Sequence, residues 1–392
     1  MASFAGNSTI VNEGVVASFA APKRKLVVKI GSSTLTRADG SADIDYLRAL
    51  ASQIARVRQA GWGAVIVTSG AIAVGLNKLG IDKRPTDMPS LQAAASVGQG
   101  ELAAAYAQAF AEFDLVTSLV LLTRRDTADR TAYLHARDTL NRLLELGIVP
   151  IVNENDTVSV EQIKFGDNDT LSALVSCLIK ADLDIILSDI DGFYDANPNE
   201  CPTAKLVPVV DHIDKSIIAA AGAAGSSVGS GGMVTKIRAA RALAVAGIPL
   251  VICSGDREEA IIDAAFGKDV GTFFPAAHLA HEITPRKLWI ALGDSARGKI
   301  TVDDGAKRAL VKQGSSLLTV GVAGVEGSFD TGDVVDILDS DGYLFARGLV
   351  SAERDRVELA IGKTHSELAG NRILADLAET PLIHRDDMVV FE

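Results

Sequence analysis

The chain has 392 residues, of which 48% are hydrophobic and 22% charged, and its formal net charge is −12. That length suggests about two or three domains, and the composition is that of a globular protein with a large core. The acidic balance argues against broad nucleic-acid binding and requires local cations if the substrate is an anion. Cys177, Cys201 and Cys253 are widely spaced and form no CxxC pair. They fit a reducing, cytoplasmic setting better than a disulfide framework. The histidines show no HExxH spacing, so no metal ligand set is expected. No stretch reads as a membrane span. Residues 1–22 are expected to be a disordered N-terminal extension: the first basic residues, Lys23, Arg24 and Lys25, follow its mildly apolar part instead of preceding it, the wrong order for a signal peptide.

In chain order, LVVKI at 26–30 predicts a first strand, followed by Gly31-Ser32-Ser33. Ile44, Leu47, Ala51, Ile54 and Val57 recur at helical spacing, with Gly61 as the stop. AVIV at 64–67 is a second strand, followed by Thr68-Ser69-Gly70. An Ala-rich helix at 91–113, a strand at 119–122, a helix at 131–146 and a strand at 148–152 come next. Helices at 171–180, 235–246 and 258–266 alternate with strands at 184–187 and 250–253. This rhythm predicts an α/β three-layer sandwich around a mostly parallel sheet. After a linker at 283–286 the texture changes to short β-type runs at 287–291, 299–302, 316–322, 334–338, 343–348 and 357–360, separated by Gly and Asp turns. The expected division is an extension (1–22), an α/β domain (23–282), a small mainly-β domain (287–372) and a C-terminal tail (373–392).

The densest polar stretch is NENDTVSVEQIKFGDNDTLSA at 153–173. It leaves a strand's C-terminal end, where ligands sit in open α/β sheets. A solvated, turn-forming Asx loop is the plain alternative. Three other turns suit phosphate: Lys29 beside Gly31-Ser32-Ser33, the turn at 68–71, and Gly229-Ser230-Gly231-Gly232 opening a helix that carries Thr235 and Lys236. A mobile glycine linker is the alternative for the last. Lysines on two different turns can clamp a transferring phosphoryl group, and Asp169 is best placed to hold both ammonium groups.

VVKIGSSTL (27–35), VTSGAIAVG (67–75), LLTRRD (121–126), HARDTL (135–140), IVPIVNENDTV (148–158), FGDNDTLSA (165–173) and GSGGMVTK (229–236) stand in one order. Together with GKITVDDGA (298–306), GSSLL (314–318) and HRDDM (384–388), they resemble the glutamate 5-kinase family, a branch of the amino acid kinases carrying a PUA domain. The resemblance runs from about Lys25 to the C-terminus. It implies the amino acid kinase fold, with ATP-dependent phosphorylation of the γ-carboxylate of L-glutamate as the first step of proline biosynthesis. Lys29 and Lys236 would contact the ATP phosphates, with Asp169 organising them. Ser69, Gly70, Asp156, Asn168 and Asn153 would bind glutamate. Ser188, Asp189, Ser230, Gly231, Gly232, Met233, Val234, Thr235 and Lys236 would line the nucleotide. Mg²⁺ is implied as the partner of ATP, and proline as an inhibitor acting through the loop at 157–166. The family also suggests a homodimer or homotetramer. The product is unstable, which would suit its hand-over to a glutamyl-phosphate reductase. PUA folds elsewhere bind RNA. Here Lys299, Lys307, Arg308, Lys312, Arg347, Arg354, Arg356 and Lys363 are outnumbered by carboxylates, so RNA is not an expected partner.

Overall fold

The computed structural model describes residues 21–123, 129–158, 168–198, 200–223, 232–276, 285–292 and 296–391. Seven strands form the first sheet: β1 (Arg24–Ile30), β2 (Trp62–Val67), β3 (Thr117–Leu122), β4 (Val149–Glu154), β5 (Leu183–Ser188), β6 (Leu250–Ser254) and β7 (Thr272–Phe274). Their order is β3-β4-β2-β1-β5-β6-β7. All pairings are parallel except that of β7, which runs antiparallel to β6. β2, β4 and β5 are buried along their whole length, as strands covered on both faces must be.

The connecting helices are α1 (Ser32–Leu35), α2 (Ile44–Gln59), α3 (Ala71–Lys78), α4 (Met88–Ala111), α5 (Arg130–Glu145), α6 (Asp169–Ile179), α7 (Lys215–Ala223), α8 (Met233–Val245) and α9 (Ala260–Ala265). Leu26, Val28 and Ile30 of β1 pack into one core with α2, α4 and α9. Val27 points the other way, into a core with α5, α6 and α8. The two-residue period of a strand therefore puts Lys29 on the α6–α8 face. α3 and α4 approach very closely: a Cβ at Gly75 would lie 1.8 Å from Ala94 O, and one at Gly98 equally close to Ala71 O. Only glycine permits that contact, which anchors the turn after β2.

The first strand lies mid-sheet, with β2 on one side and β5 on the other. The chain first builds outward through β2 and later returns across β1 to add β5. This reversal leaves a crevice at the C-terminal strand ends.

A second sheet contains β8 (Gly298–Val302), β9 (Val322–Gly327), β10 (Val334–Leu338), β11 (Leu344–Leu349) and β12 (Met388–Val390), ordered β12-β11-β10-β8-β9. It has its own core, which includes Ile300, Val335, Ile337, Phe345 and Leu382. Several expectations change here. The run at 287–291 lies inside helix α10 (Pro285–Leu292), where Leu288, Ala291 and Leu292 at helical spacing join the first unit's core. Pro285 and Arg286, expected in a linker, open that helix. α11 (Asp304–Gln313) follows β8, and the run at 357–360 belongs to α12 (Arg354–Ala360). The run at 316–322 is broken into a single bridge at Leu317, a 3₁₀ turn (Thr319–Gly321) and the start of β9. The segment 373–392, expected as a tail, supplies β12, which pairs with β11 and brings Val389 against the first unit's core. Short apolar runs carry no unambiguous period, which explains these differences.

Candidate active site

The crevice at the strand ends gathers the end of β1, the 68–70 turn after β2, Asn153 and Glu154 at the end of β4, and Ser188 at the end of β5. Lys29 projects from β1 toward the first residue of α6. Its Nζ lies 2.7 Å from Asp169 Oδ1. From α8, Lys236 Nζ lies 3.4 Å from Asp169 Oδ2, and the Thr235 hydroxyl donates to that same oxygen at 2.8 Å. Asp169 is wholly buried, and Lys29 and Lys236 are 5% and 4% exposed. Two buried ammonium groups thus share one carboxylate. Burial alone would raise the Asp169 pKa. Lys29 and Lys236 beside it, with hydrogen bonds from Lys29 and Thr235, outweigh that and hold it well below the usual carboxylate range. Asp169 also sits at the N-terminal end of α6, where the helix dipole favours an anion. Lys236, in the first turns of α8, faces the opposite field and is offset by Asp169.

The residues expected to meet glutamate form a linked polar layer. Asn153 is buried; its amide donates to Gln99 Oε1 at 2.8 Å, and its oxygen accepts from Asn168 Nδ2 at 2.8 Å and from the Glu154 N–H at 2.9 Å. Asn168 also donates to Thr68 O. These two amides therefore tie β2, β4, α4 and α6 together. Ser69 Oγ donates to Ile30 O at 2.8 Å, closing β1 onto the turn after β2. Gly70 caps α3 with φ of +85°, a conformation that keeps the turn sharp. Asp156 is partly buried, and burial pushes its carboxyl up to about 6 against the opposing pull of Arg84. Ser188 Oγ donates to Asp189 Oδ1 at 3.0 Å, and Asp189 is exposed. Gly232 is the N-cap of α8 and Met233 is buried behind it. Val234 is 47% exposed and faces away from Asp169. Ser230, Gly231 and residues 159–166 of the expected cover lie outside the described residues.

The profile of the Amino acid kinase family matches residues 24–254, and that of the PUA domain residues 298–369. The chain belongs to the amino acid kinase family. It is 45% identical to a glutamate 5-kinase of Geobacter sulfurreducens, over 94% of this chain and 97% of that protein. A glutamate 5-kinase of Streptomyces coelicolor is 45% identical over 94% of this chain and 96% of its own length. One from Syntrophotalea carbinolica is 42% identical, over 94% of this chain and 97% of that protein.

Other members of this kinase's polar layer escaped the sequence reading. Gln99 fixes Asn153, and Tyr106 OH donates to Thr68 Oγ1 at 2.9 Å. Both stand on α4, where a buried Gln among alanines was an available signal. Arg84 comes from the loop before α4, and only the fold brings it to Asp156. Beneath α6, Asp184 of β5 is wholly buried. It accepts hydrogen bonds from Ser176 Oγ at 2.7 Å and from Ser172 Oγ at 3.0 Å. Burial pushes its carboxyl up to about 7, with Asp169 adding to the rise and the serines and Lys29 opposing it. Its partner residues stand one and two turns after Asp169 on the same helix.

Proposed function

We propose that this chain transfers the γ-phosphoryl group of ATP to the side-chain carboxylate of L-glutamate, giving ADP and L-glutamyl 5-phosphate, the first step of proline biosynthesis. The observation that carries this reading is the pair of buried lysines converging on Asp169 at the sheet's switch point. In the transfer, a glutamate carboxylate oxygen forms a bond to the γ-phosphorus. The bond from phosphorus to the β,γ-bridging oxygen breaks, and its electron pair leaves on ADP. A carboxylate at neutral pH carries no proton to remove, so a general base has no task. The chain must align the two oxygens and stabilise negative charge on the phosphoryl group.

Lys29 and Lys236 supply that stabilisation, one from β1 and one from α8. Asp169 keeps the two ammonium groups together against their repulsion without cancelling both charges. The α8 N-terminus, opening after Gly232, adds N–H donors for phosphate oxygens. Asp156 suits the substrate α-ammonium, and Ser69 and the Gly70 N–H suit carboxylate oxygens, with Asn153 and Asn168 setting their positions. Mg²⁺, bound with ATP, would neutralise phosphate charge; among the described residues no group of three or more His, Cys, Asp or Glu side chains forms a cage for it. By the same reading the enzyme works in the cytoplasm as a homodimer or homotetramer, proline competes for the glutamate contacts, and a reductase consumes the labile acyl phosphate.

Turnover with ATP and glutamate in the presence of hydroxylamine tests this directly. Glutamyl hydroxamate should form, and proline should suppress it; no hydroxamate would overturn the activity. Asp156→Ala should raise the KM for glutamate and weaken proline inhibition together. Intact proline inhibition alongside collapsed glutamate binding would refute the shared site.

A further inference from the structure

One turn of the second unit touches both helices that flank the glycine run at 229–232: α7, which ends at Ala223, and α8, which begins at Met233. The turn spans 339–343, between β10 and β11. Asp339 Oδ1 accepts from the Asp341 and Tyr343 N–H groups at 3.1 and 2.8 Å, and the Asp339 N–H donates to Tyr343 O at 3.0 Å. Lys307 of α11 lies 3.1 Å from Asp339 Oδ2, so the turn is also braced from within its own unit. A turn bonded in this way is stiff and can fix what it touches.

Tyr343 makes the contact on both sides. Toward α7, its hydroxyl donates to Ile213 O at 2.9 Å, just before that helix, and Lys215 Nζ lies 5.5 Å from its ring centre. Lys215 also reaches Asp341 at 2.8 Å and Asp339 at 3.6 Å. Toward α8, Arg241 lies 5.8 Å from the same ring centre and donates to Leu344 O at 2.8 Å, where β11 begins. Its guanidinium also stands 4.3 Å from the Phe391 ring centre. One ring thus draws cations from two helices, a cation–π contact with each. Arg241 follows Lys236 by five residues, about 140° around the helix and roughly 7.5 Å along it. Thr235 and Lys236 turn toward Asp169 from the same helix. Fixing Arg241 therefore fixes the rotation from which Lys236 reaches the site.

We propose that this turn positions the ATP-binding end of α8: Tyr343 holds α7 and α8 at a set spacing and rotation, and so keeps Thr235, Lys236 and the α8 N-terminus aligned on the phosphates. Tyr343 is a positioning residue, acting through Arg241 and the helix. The proposal rests on the ATP half of the function given above and not on the choice of acceptor. Tyr343→Leu keeps an apolar side chain and removes the ring and the hydroxyl. It should weaken ATP binding by calorimetry at least about fivefold and raise the KM for ATP by the same factor, while the KM for glutamate stays within about twofold. Tyr343→Phe keeps the ring and should stay within about twofold for ATP as well. The unmodified chain supplies a test that no misfolded variant can spoil. Coupling is reciprocal, so ATP without glutamate should slow hydrogen exchange of the 339–343 amides by about the same fivefold. Amides of the 328–333 turn, at the other end of β10, should exchange as before. Unchanged ATP affinity in a folded Tyr343→Leu, equal losses for ATP and glutamate, or exchange at 339–343 that ATP does not slow would overturn the positioning role. An unmodified chain that binds ATP and forms no hydroxamate would overturn glutamate as the acceptor and leave this role standing.

Discussion

Asp169, at the start of α6, and Asp184, on β5 beneath that helix, are equally buried, yet their charge states are driven in opposite directions. Asp169, at the start of α6, meets two ammonium groups and a threonine hydroxyl. Asp184, beneath the middle of α6, meets two serine hydroxyls. Ammonium groups can only donate, so they enforce an anion. Hydroxyls both donate and accept, so they serve a neutral acid as well as a carboxylate. Burial is the same cost for each group, and the partners decide the outcome. One acid is held as a fixed charge for chemistry, and the other, on the strand beneath that helix, is pushed toward its neutral form.

The most damaging way to break this comparison is to neutralise Asp169. Asp169→Asn keeps the shape and removes the charge, leaving Lys29 and Lys236 buried side by side. We expect kcat to fall by about 10³-fold or more, since both phosphate-facing lysines lose their position. Stability should fall by about 3–5 kcal/mol, the usual result of stripping one partner from a buried ion pair. Hydroxamate trapping and urea unfolding measure the two effects; near-normal turnover would remove Asp169 from the site.

The second test uses pH. Asp169 is depressed on folding, so its stabilisation is present above the ordinary carboxylate range and is lost as the pH falls through its folded value. Asp184 is raised, so the folded state holds a proton that the unfolded chain has released. Its contribution to stability therefore declines as pH rises from the ordinary value of 3.8 toward about 7. The decline is on the order of 4 kcal/mol for a shift of this size. Asp184→Asn can still accept from one serine and donate to the other, and it does not titrate. Its stability relative to the unmodified chain should climb between pH 4 and pH 7 and then level off, with turnover largely kept. A pH-independent difference would show that Asp184 folds as an anion.

These two acids also mark how far the sequence could be read. Lys29, Asp169 and Lys236 each occupy a motif at a strand end or helix start, and β1's two-residue period already fixes the face that Lys29 takes. Their convergence was legible because parallel strands deliver their ends to one edge of the sheet. Asp184 stands in a strand with no motif around it, and its state depends on two serines that only packing brings near. Arg84 and Gln99 reach the site by the same kind of long-range approach. Val234 sits in the glycine motif by sequence, yet the turn of a helix directs it to the opposite face. The runs at 287–291, on the first unit's core, and at 357–360, in the second unit, hold too few apolar residues to separate a helical from a strand period. The core they join settled the matter.

The smallest expected effects sharpen the comparison most closely, because they change one hydroxyl at each acid. Thr235→Val removes a donor to an ionised carboxylate, and hydrogen bonds to charged groups contribute about 1.5–3 kcal/mol. Ser176→Ala removes a donor to a neutral acid, where about 0.5–1.5 kcal/mol is usual. At pH 6, thermal or urea unfolding should therefore show the larger loss for Thr235→Val. At pH 8, where Asp184 has ionised, Ser176→Ala should become the costlier of its two measurements, while Thr235→Val should show no such increase, because Asp169 is ionised throughout. Thr235→Ser, which keeps the hydroxyl, should recover most of the loss. If the cost of Ser176→Ala stays constant across this pH range, the serines are binding one charge state only, and the contrast between the two acids is one of packing instead of protonation.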